Sequence, residues 1–275
     1  MKWTTILLLF VIANSLHAQQ QIKKISETDF VIGKSVEIQS EALNETRLLN
    51  IYLPLSYEAE LDKTYPVIYL LDGAKDEDFI HISGIVQFGS FSWISMLPES
   101  IVVGIANTDR KRDFTYPSKN KLDQKEFPTS GKSKRFINFI ENELQPFVNS
   151  EYRTTKEKTI IGQSLGGLLA TEILFTSPNL FDNYIIVSPS LWWDDEKLLD
   201  RATKEYVSNK FIYIAGGKEG EVMERTAKEL FNKLNQKQRS NTNLSYDFMP
   251  TKTHGDALHI AVYNAFTKIY SKGTE

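Results

Sequence analysis

Ser164 stands within Gly162-Gln163-Ser164-Leu165-Gly166-Gly167, a Gly-x-Ser-x-Gly pattern. Residues 159–161 before it are β-branched and apolar, and residues 165–175 after it carry apolar side chains at helical spacing. The motif therefore falls at a strand-to-helix turn. A serine on such a turn is strained with its hydroxyl exposed, and glycines beside it let the backbone pass close to the neighbouring strand and helix. The helix behind it aims N–H groups and the positive end of its dipole at any oxyanion formed there. A serine hydroxyl is a poor nucleophile at neutral pH, so the chemistry also needs a base.

The chain has four histidines, His17, His81, His254 and His259. The motif resembles the nucleophile elbow of α/β-hydrolases, and that resemblance implies the chain order serine, acid, histidine with the base in the loop between the last strand and the last helix. His254, between a strand at residues 244–248 and a helix at 257–270, fits that place. The acid that orients the imidazole should follow the strand at residues 211–215. Glu219 and Glu221 are both there: Glu219 sits just past the strand and is preferred, and Glu221 opens the next helix as a favourable N-terminal charge. Without either, the site would be a Ser-His dyad. For the oxyanion, one donor is the N–H of Leu165, and the second should be that of Ala74, with Gly73 allowing close approach. Grouping His254, Asp256 and His259 as a metal site matches no zinc spacing, and no metal or other cofactor is expected.

These groups need a scaffold. Residues 30–39 and 47–53 look like two strands joined by a polar turn at 41–46, an antiparallel hairpin. Residues 66–71 and 101–106 are continuously apolar, as in strands buried on both faces. Phe136, Phe139, Ile140, Leu144 and Phe147 share one helical face, with Pro146 bending its last turn. Helices are also expected over 82–96, 195–206 and 221–234, a further strand over 184–187, and a polar irregular segment over 109–130. Strands alternating with helices imply an α/β fold: a mostly parallel sheet with an N-terminal antiparallel hairpin, helices on both faces, and the site on loops at the strands' C-terminal ends.

Lys and Arg number 32 against 35 Asp and Glu, a net charge of -3 without clustering, which gives no electrostatic case for nucleic acid or a membrane surface. With no cysteine, disulfides and thiolate metal sites are excluded. Residues 1–18 read as a secretory signal, with Lys2 at its positive end, an apolar core at 6–13 and a cleavage site after Ala18. That run is too short to span a bilayer. The expectation is one catalytic domain over residues 19–275, exported to the periplasm or beyond and not inserted in a membrane.

The blocks Tyr69-Leu70-Leu71-Asp72-Gly73, Asn107-Thr108-Asp109-Arg110, Gly162-Gln163-Ser164-Leu165-Gly166-Gly167 and Ser188-Pro189-Ser190-Leu191-Trp192-Trp193 resemble the putative esterase family of α/β-hydrolases. The resemblance is greatest to its enterochelin, or ferric siderophore, esterase branch, and it covers nearly all of the chain after the signal. It implies hydrolysis of a carboxylic ester through an acyl-enzyme on Ser164, with His254 first base and then acid. It also implies that Arg110 and Trp192 wall the substrate, the guanidinium holding an anionic or catecholate group and the indole stacking on an aromatic acyl unit. Their alternatives are an Arg110-Asp113 ion pair and a buried Trp192-Trp193 pair. Competing readings are a carbohydrate esterase removing acetyl or feruloyl groups from polysaccharide, so that the partner is a small-molecule or glycan ester, and a catalytically silent hydrolase fold that binds a ligand.

Overall fold

The computed structural model describes residues 22–236 and 239–270. The signal reading falls on residues outside that range. Residues 22–31 have no regular secondary structure, and Ile32–Glu275 is a separate compact unit.

In that unit β1 (Lys34–Ser40) and β2 (Glu45–Tyr52) pair antiparallel across a four-residue turn closed by Asn44 at φ 56°. Then follow β3 (Tyr65–Leu71), α1 (Phe79–Gly89), β4 (Ile101–Ile105), α2 (Arg110–Phe114), α3 (Lys121–Glu126) and α4 (Ser133–Phe139). One π turn (Ile140–Leu144) leads into α5 (Gln145–Glu151). The widening comes just before Pro146, whose missing N–H removes a rung of the ladder. Ser164 lies between β5 (Thr154–Gln163) and α6 (Leu165–Thr176), and there follow β6 (Asn183–Val187), α7 (Lys197–Asp200), β7 (Lys210–Gly217), α8 (Glu221–Asn235), β8 (Thr242–Met249) and α9 (Leu258–Ile269).

The eight strands form one sheet in the order β1-β2-β4-β3-β5-β6-β7-β8. Pairing is antiparallel from β1 through β4 and parallel from there on. Because successive side chains in a strand point to opposite faces, β3 feeds two cores. Val67, Tyr69 and Leu71 pack with residues of α4, α5 and α6, whereas Ile68 and Leu70 pack with α1 and α9. Each such side chain contributes about 1.5–3 kcal/mol by leaving water. Among the described residues no helix is long and apolar enough to cross a membrane.

Some segments differ from the sequence expectation. The helix expected over 82–96 is α1 and stops at Gly89, residues 90–96 being non-helical with Ser95 at φ 49°, and the strand expected from residue 30 begins at Lys34. Over 195–206 only Lys197–Asp200 is helical, because Asp194, Asp195 and Glu196 all take positive φ. The turn is held from outside: Asp194 Oδ1 accepts from the Lys119 N–H at 2.5 Å, and the Asp194 N–H donates to Asp123 Oδ2 at 2.9 Å. The polar segment 109–130 is in turn more ordered than its composition suggests. Its two short helices are N-capped by Asp109 and Asn120. Trp193 Nε1 donates to Tyr116 O at 2.8 Å and Tyr116 Oη donates back to Trp193 O at 3.2 Å, tying the segment to the loop after β6. Asp113 anchors its other end to the buried guanidinium of Arg47 at 2.7 Å.

Candidate active site

Ser164 has φ 59° and ψ -120°, a conformation that costs a non-glycine residue about 1–3 kcal/mol. β6 and the loop after it hold it there: its N–H donates to Val187 O at 3.1 Å and its carbonyl accepts from the Ser190 N–H at 3.0 Å. The glycines around it have unequal parts. A Cβ on Gly162 would lie 2.4 Å from Gly166 O, and one on Gly167 would lie 2.9 Å from Pro189 Cα, whereas one on Gly166 would make only ordinary contacts. The close approaches of strand, helix and the following loop thus rest on the first and last glycines of the motif.

β7 ends at Gly217, and the following turn carries Glu219 inward until its side chain is 3% exposed. Its two oxygens are divided. Oε2 accepts from His254 Nδ1 at 2.6 Å, while Oε1 accepts from Ser188 Oγ at 2.5 Å and from the Gly217 N–H at 2.8 Å. Burial alone would raise the carboxyl, but these three donors outweigh it and hold Glu219 below the usual glutamate range. The imidazole is therefore oriented by a carboxylate, with Nδ1 as the protonated nitrogen and Nε2 left to accept. His254 lies in the loop after β8, and Gln163 Nε2 donates to its backbone carbonyl at 2.5 Å, which ties that loop to the residue preceding Ser164. Glu221 is exposed at the first position of α8, with no side-chain partner among the described residues. Ser164 Oγ is paired with Ser190 Oγ at 3.2 Å, and either hydroxyl can donate; with Ser190 as the donor the Ser164 proton stays free for a base.

On the oxyanion side, Leu165 is the first residue of α6, where a helical N–H has no acceptor within its own helix. The Ala74 N–H is already engaged, donating to Glu77 Oε2 at 3.1 Å, so an oxyanion there must displace that exposed carboxylate. Gly73 packs tightly on β4, where a Cβ would fall 2.3 Å from Gly104 Cα and 2.5 Å from Ile105 N. Gly73→Val should push residues 73–74 out of line and lower kcat about 100-fold or more on a chromogenic ester, the scale of losing one aimed donor. Wild-type turnover in that variant would remove this loop from the site.

Arg110 is mainly a brace. Its Nε and Nη2 donate to the two oxygens of Asp72 at 2.6 and 2.8 Å, and Nη2 also reaches Gln163 O at 3.2 Å, clamping the end of β3 to the end of β5. Among the described residues only Nη1 has no partner, so a substrate anion would meet one edge of the fork. The alternative pairing with Asp113 does not form, since Asp113 binds Arg47 and Arg112. Trp193 is fully buried, whereas Trp192 is half-buried with its ring 6.0 Å from that of Phe127. His254, Asp256 and His259 do not converge: Asp256 turns to Thr253 and Lys252, and His259 turns to His81. Sequence reasoning missed Ser188, Ser190, Asp72, Asn107 and Glu77. Asn107 Nδ2 donates to Asp72 Oδ1 at 2.7 Å across 35 residues, a separation that carries no local pattern.

Residues 40–257 match the Putative esterase family. The chain belongs to that family. Ferri-bacillibactin esterase BesA of Bacillus subtilis is 33% identical to this esterase-family chain over 189 residues, which make up 64% of the chain and 64% of that relative. An IroE-like serine hydrolase of Shewanella oneidensis superposes with a TM-score of 0.78 at 30% identity, covering 86% of this chain and 80% of that one. Siderophore hydrolase EstA of Aspergillus nidulans superposes at 0.73 over 91% of this chain and 98% of its own, and at 19% identity it speaks to the fold alone. The mostly parallel mixed sheet with helices on both faces matches the α/β-hydrolase-like fold of these neighbours.

Proposed function

We propose that this protein is an exported serine esterase that cleaves carboxylic esters of the siderophore class through an acyl-enzyme on Ser164. The observation that carries the reading is the buried Glu219 carboxylate 2.6 Å from His254 Nδ1, beside a serine on a strained turn. In the first half-reaction His254 Nε2 takes the Ser164 proton as Oγ adds to the ester carbonyl. The oxyanion is met by the Leu165 N–H and, once Glu77 has turned away, by that of Ala74. Collapse expels the alcohol, which takes the proton from the imidazolium. Water then repeats the sequence and frees the acid and Ser164. Glu219 stays ionised throughout and stabilises the imidazolium. Trp192 and the free edge of Arg110 supply an aromatic face and a cation for the acyl part, and one relative is named a ferri-bacillibactin esterase.

The test has two arms. A fluorophosphonate probe should label the wild type and leave Ser164→Ala unlabelled; a folded wild type without label would mean a silent binder. Profiled at matched concentration, triscatecholate lactones should be cleaved in preference to acetylated or feruloylated glycans. The reverse order would move the protein to carbohydrate esters while leaving the serine chemistry intact.

A further inference from the structure

Away from Ser164, three side chains suited to a metal converge where α1 and α9 begin. His81 Nδ1 lies 2.9 Å from His259 Nε2, and that same Nε2 lies 3.5 Å from Asp78 Oδ1. All three ligand atoms fall within 4.8 Å of one another. We propose that Asp78, His81 and His259 form a site for a divalent first-row metal, with Zn2+ the fitting probe, that clips α1 to α9 at the root of the loop carrying Gly73 and Ala74.

The geometry favours this over a chance histidine pair. Asp78 occupies the N-cap of α1, where an aspartate normally accepts from the first-turn N–H groups, yet its side chain makes no cap bond and faces His259 instead. Three residues on, His81 lies on the same side of the first turn. His259 comes from the first turn of α9, 178 residues away in sequence, and the two rings stand nearly perpendicular at 84° with centroids 4.4 Å apart. Two neutral imidazoles can satisfy each other with only one of their facing nitrogens protonated, and a metal would use both lone pairs at once. Tetrahedral ligands about 2.05 Å from zinc sit about 3.3 Å apart, so the pair separation needs to open by only a few tenths of an ångström. Two imidazoles and one carboxylate suit zinc and its neighbours in the first row rather than magnesium or calcium, which prefer all-oxygen shells. Water would complete the coordination, since the side chains of Asp78 and His259 are 27% and 34% exposed.

The consequence lies in the loop. The Asp78 N–H donates to Asp72 O at 3.2 Å, and the Glu77 N–H donates to Ala74 O at 3.0 Å, so fixing Asp78 fixes the turn that presents Ala74. Zinc chloride titrated calorimetrically into the metal-stripped full chain should show a single binding event and raise Tm. His81→Ala and His259→Ala should each weaken binding at least tenfold and abolish the Tm rise, and His254→Ala should leave both unchanged. Matching melting curves in EDTA identify variants that remain folded, and His81→Gln serves if alanine does not. The site is overturned if the wild type takes up no zinc, if affinity survives in both His81 and His259 variants, or if it is lost in His254→Ala.

Discussion

His254→Ala is expected to lower kcat by about 10^4- to 10^6-fold on any ester the wild type turns over, with Tm nearly unchanged. The two outcomes separate because the imidazole and the backbone of residue 254 have different tasks. The side chain is 47% exposed and belongs to neither core, so removing it deletes little packing. The carbonyl that accepts from Gln163 Nε2 remains in the alanine variant, and the loop keeps its tie to the nucleophile turn. In the proposed mechanism what disappears is the group that takes the serine proton, and oxyanion donors alone sustain only residual catalysis. Phosphonate labelling of Ser164 should slow in parallel, since that reaction also needs a deprotonated hydroxyl. Turnover above a tenth of wild type would mean that another group is the base. His81 and His259 are poor substitutes, since they pair with each other at 2.9 Å.

The backbone framework was legible from sequence because its signals are local. Continuous apolar runs marked β3 and β4, helical spacing marked α6 and the run from α4 into α5, and glycines at 162 and 167 stand where any Cβ would collide with backbone. Ser164, His254 and Glu219 could be placed because each sits at a strand end whose order along the chain follows from the fold. The rest of the site was not legible, for a physical reason. The brace from Arg110 to Asp72, the Ser188 hydroxyl on Glu219 and the Glu77 carboxylate on the Ala74 N–H join residues that only the folded sheet brings together. The helix expected over 195–206 failed for the same cause: Asp194 takes its conformation from Lys119 and Asp123, outside its own segment. Propensity is overruled where such a contact is available.

Between the two acids, Glu219→Gln is expected to lower kcat about 10^2- to 10^4-fold and Glu221→Gln less than about twofold. The reason is donor counting at Glu219. A glutamine has one acceptor oxygen where the carboxylate has two, and the native site presents donors on both sides: His254 Nδ1 at 2.6 Å on Oε2, and the Gly217 N–H at 2.8 Å with Ser188 Oγ at 2.5 Å on Oε1. If the amide oxygen stays with Gly217, the amide NH2 faces His254 and drives its proton to Nε2, the nitrogen that must accept from Ser164. If the amide is flipped, NH2 meets the Gly217 N–H and the buried turn loses its acceptor. Either way the imidazolium of the transition state has lost its counter-charge. Glu221, exposed on the first turn of α8, offers only its small favourable charge at a helix N-terminus. The pH dependence gives a separate sign. Because Glu219 is held below the usual glutamate range in the folded protein, its ionised form adds stability that is fully present above the unfolded value and is lost as pH falls through the folded one. The Tm gap between wild type and Glu219→Gln should therefore be full near pH 7 and close only below the ordinary carboxylate range. A larger kcat loss from Glu221→Gln, or a gap that widens on acidification, would take the acid role from Glu219.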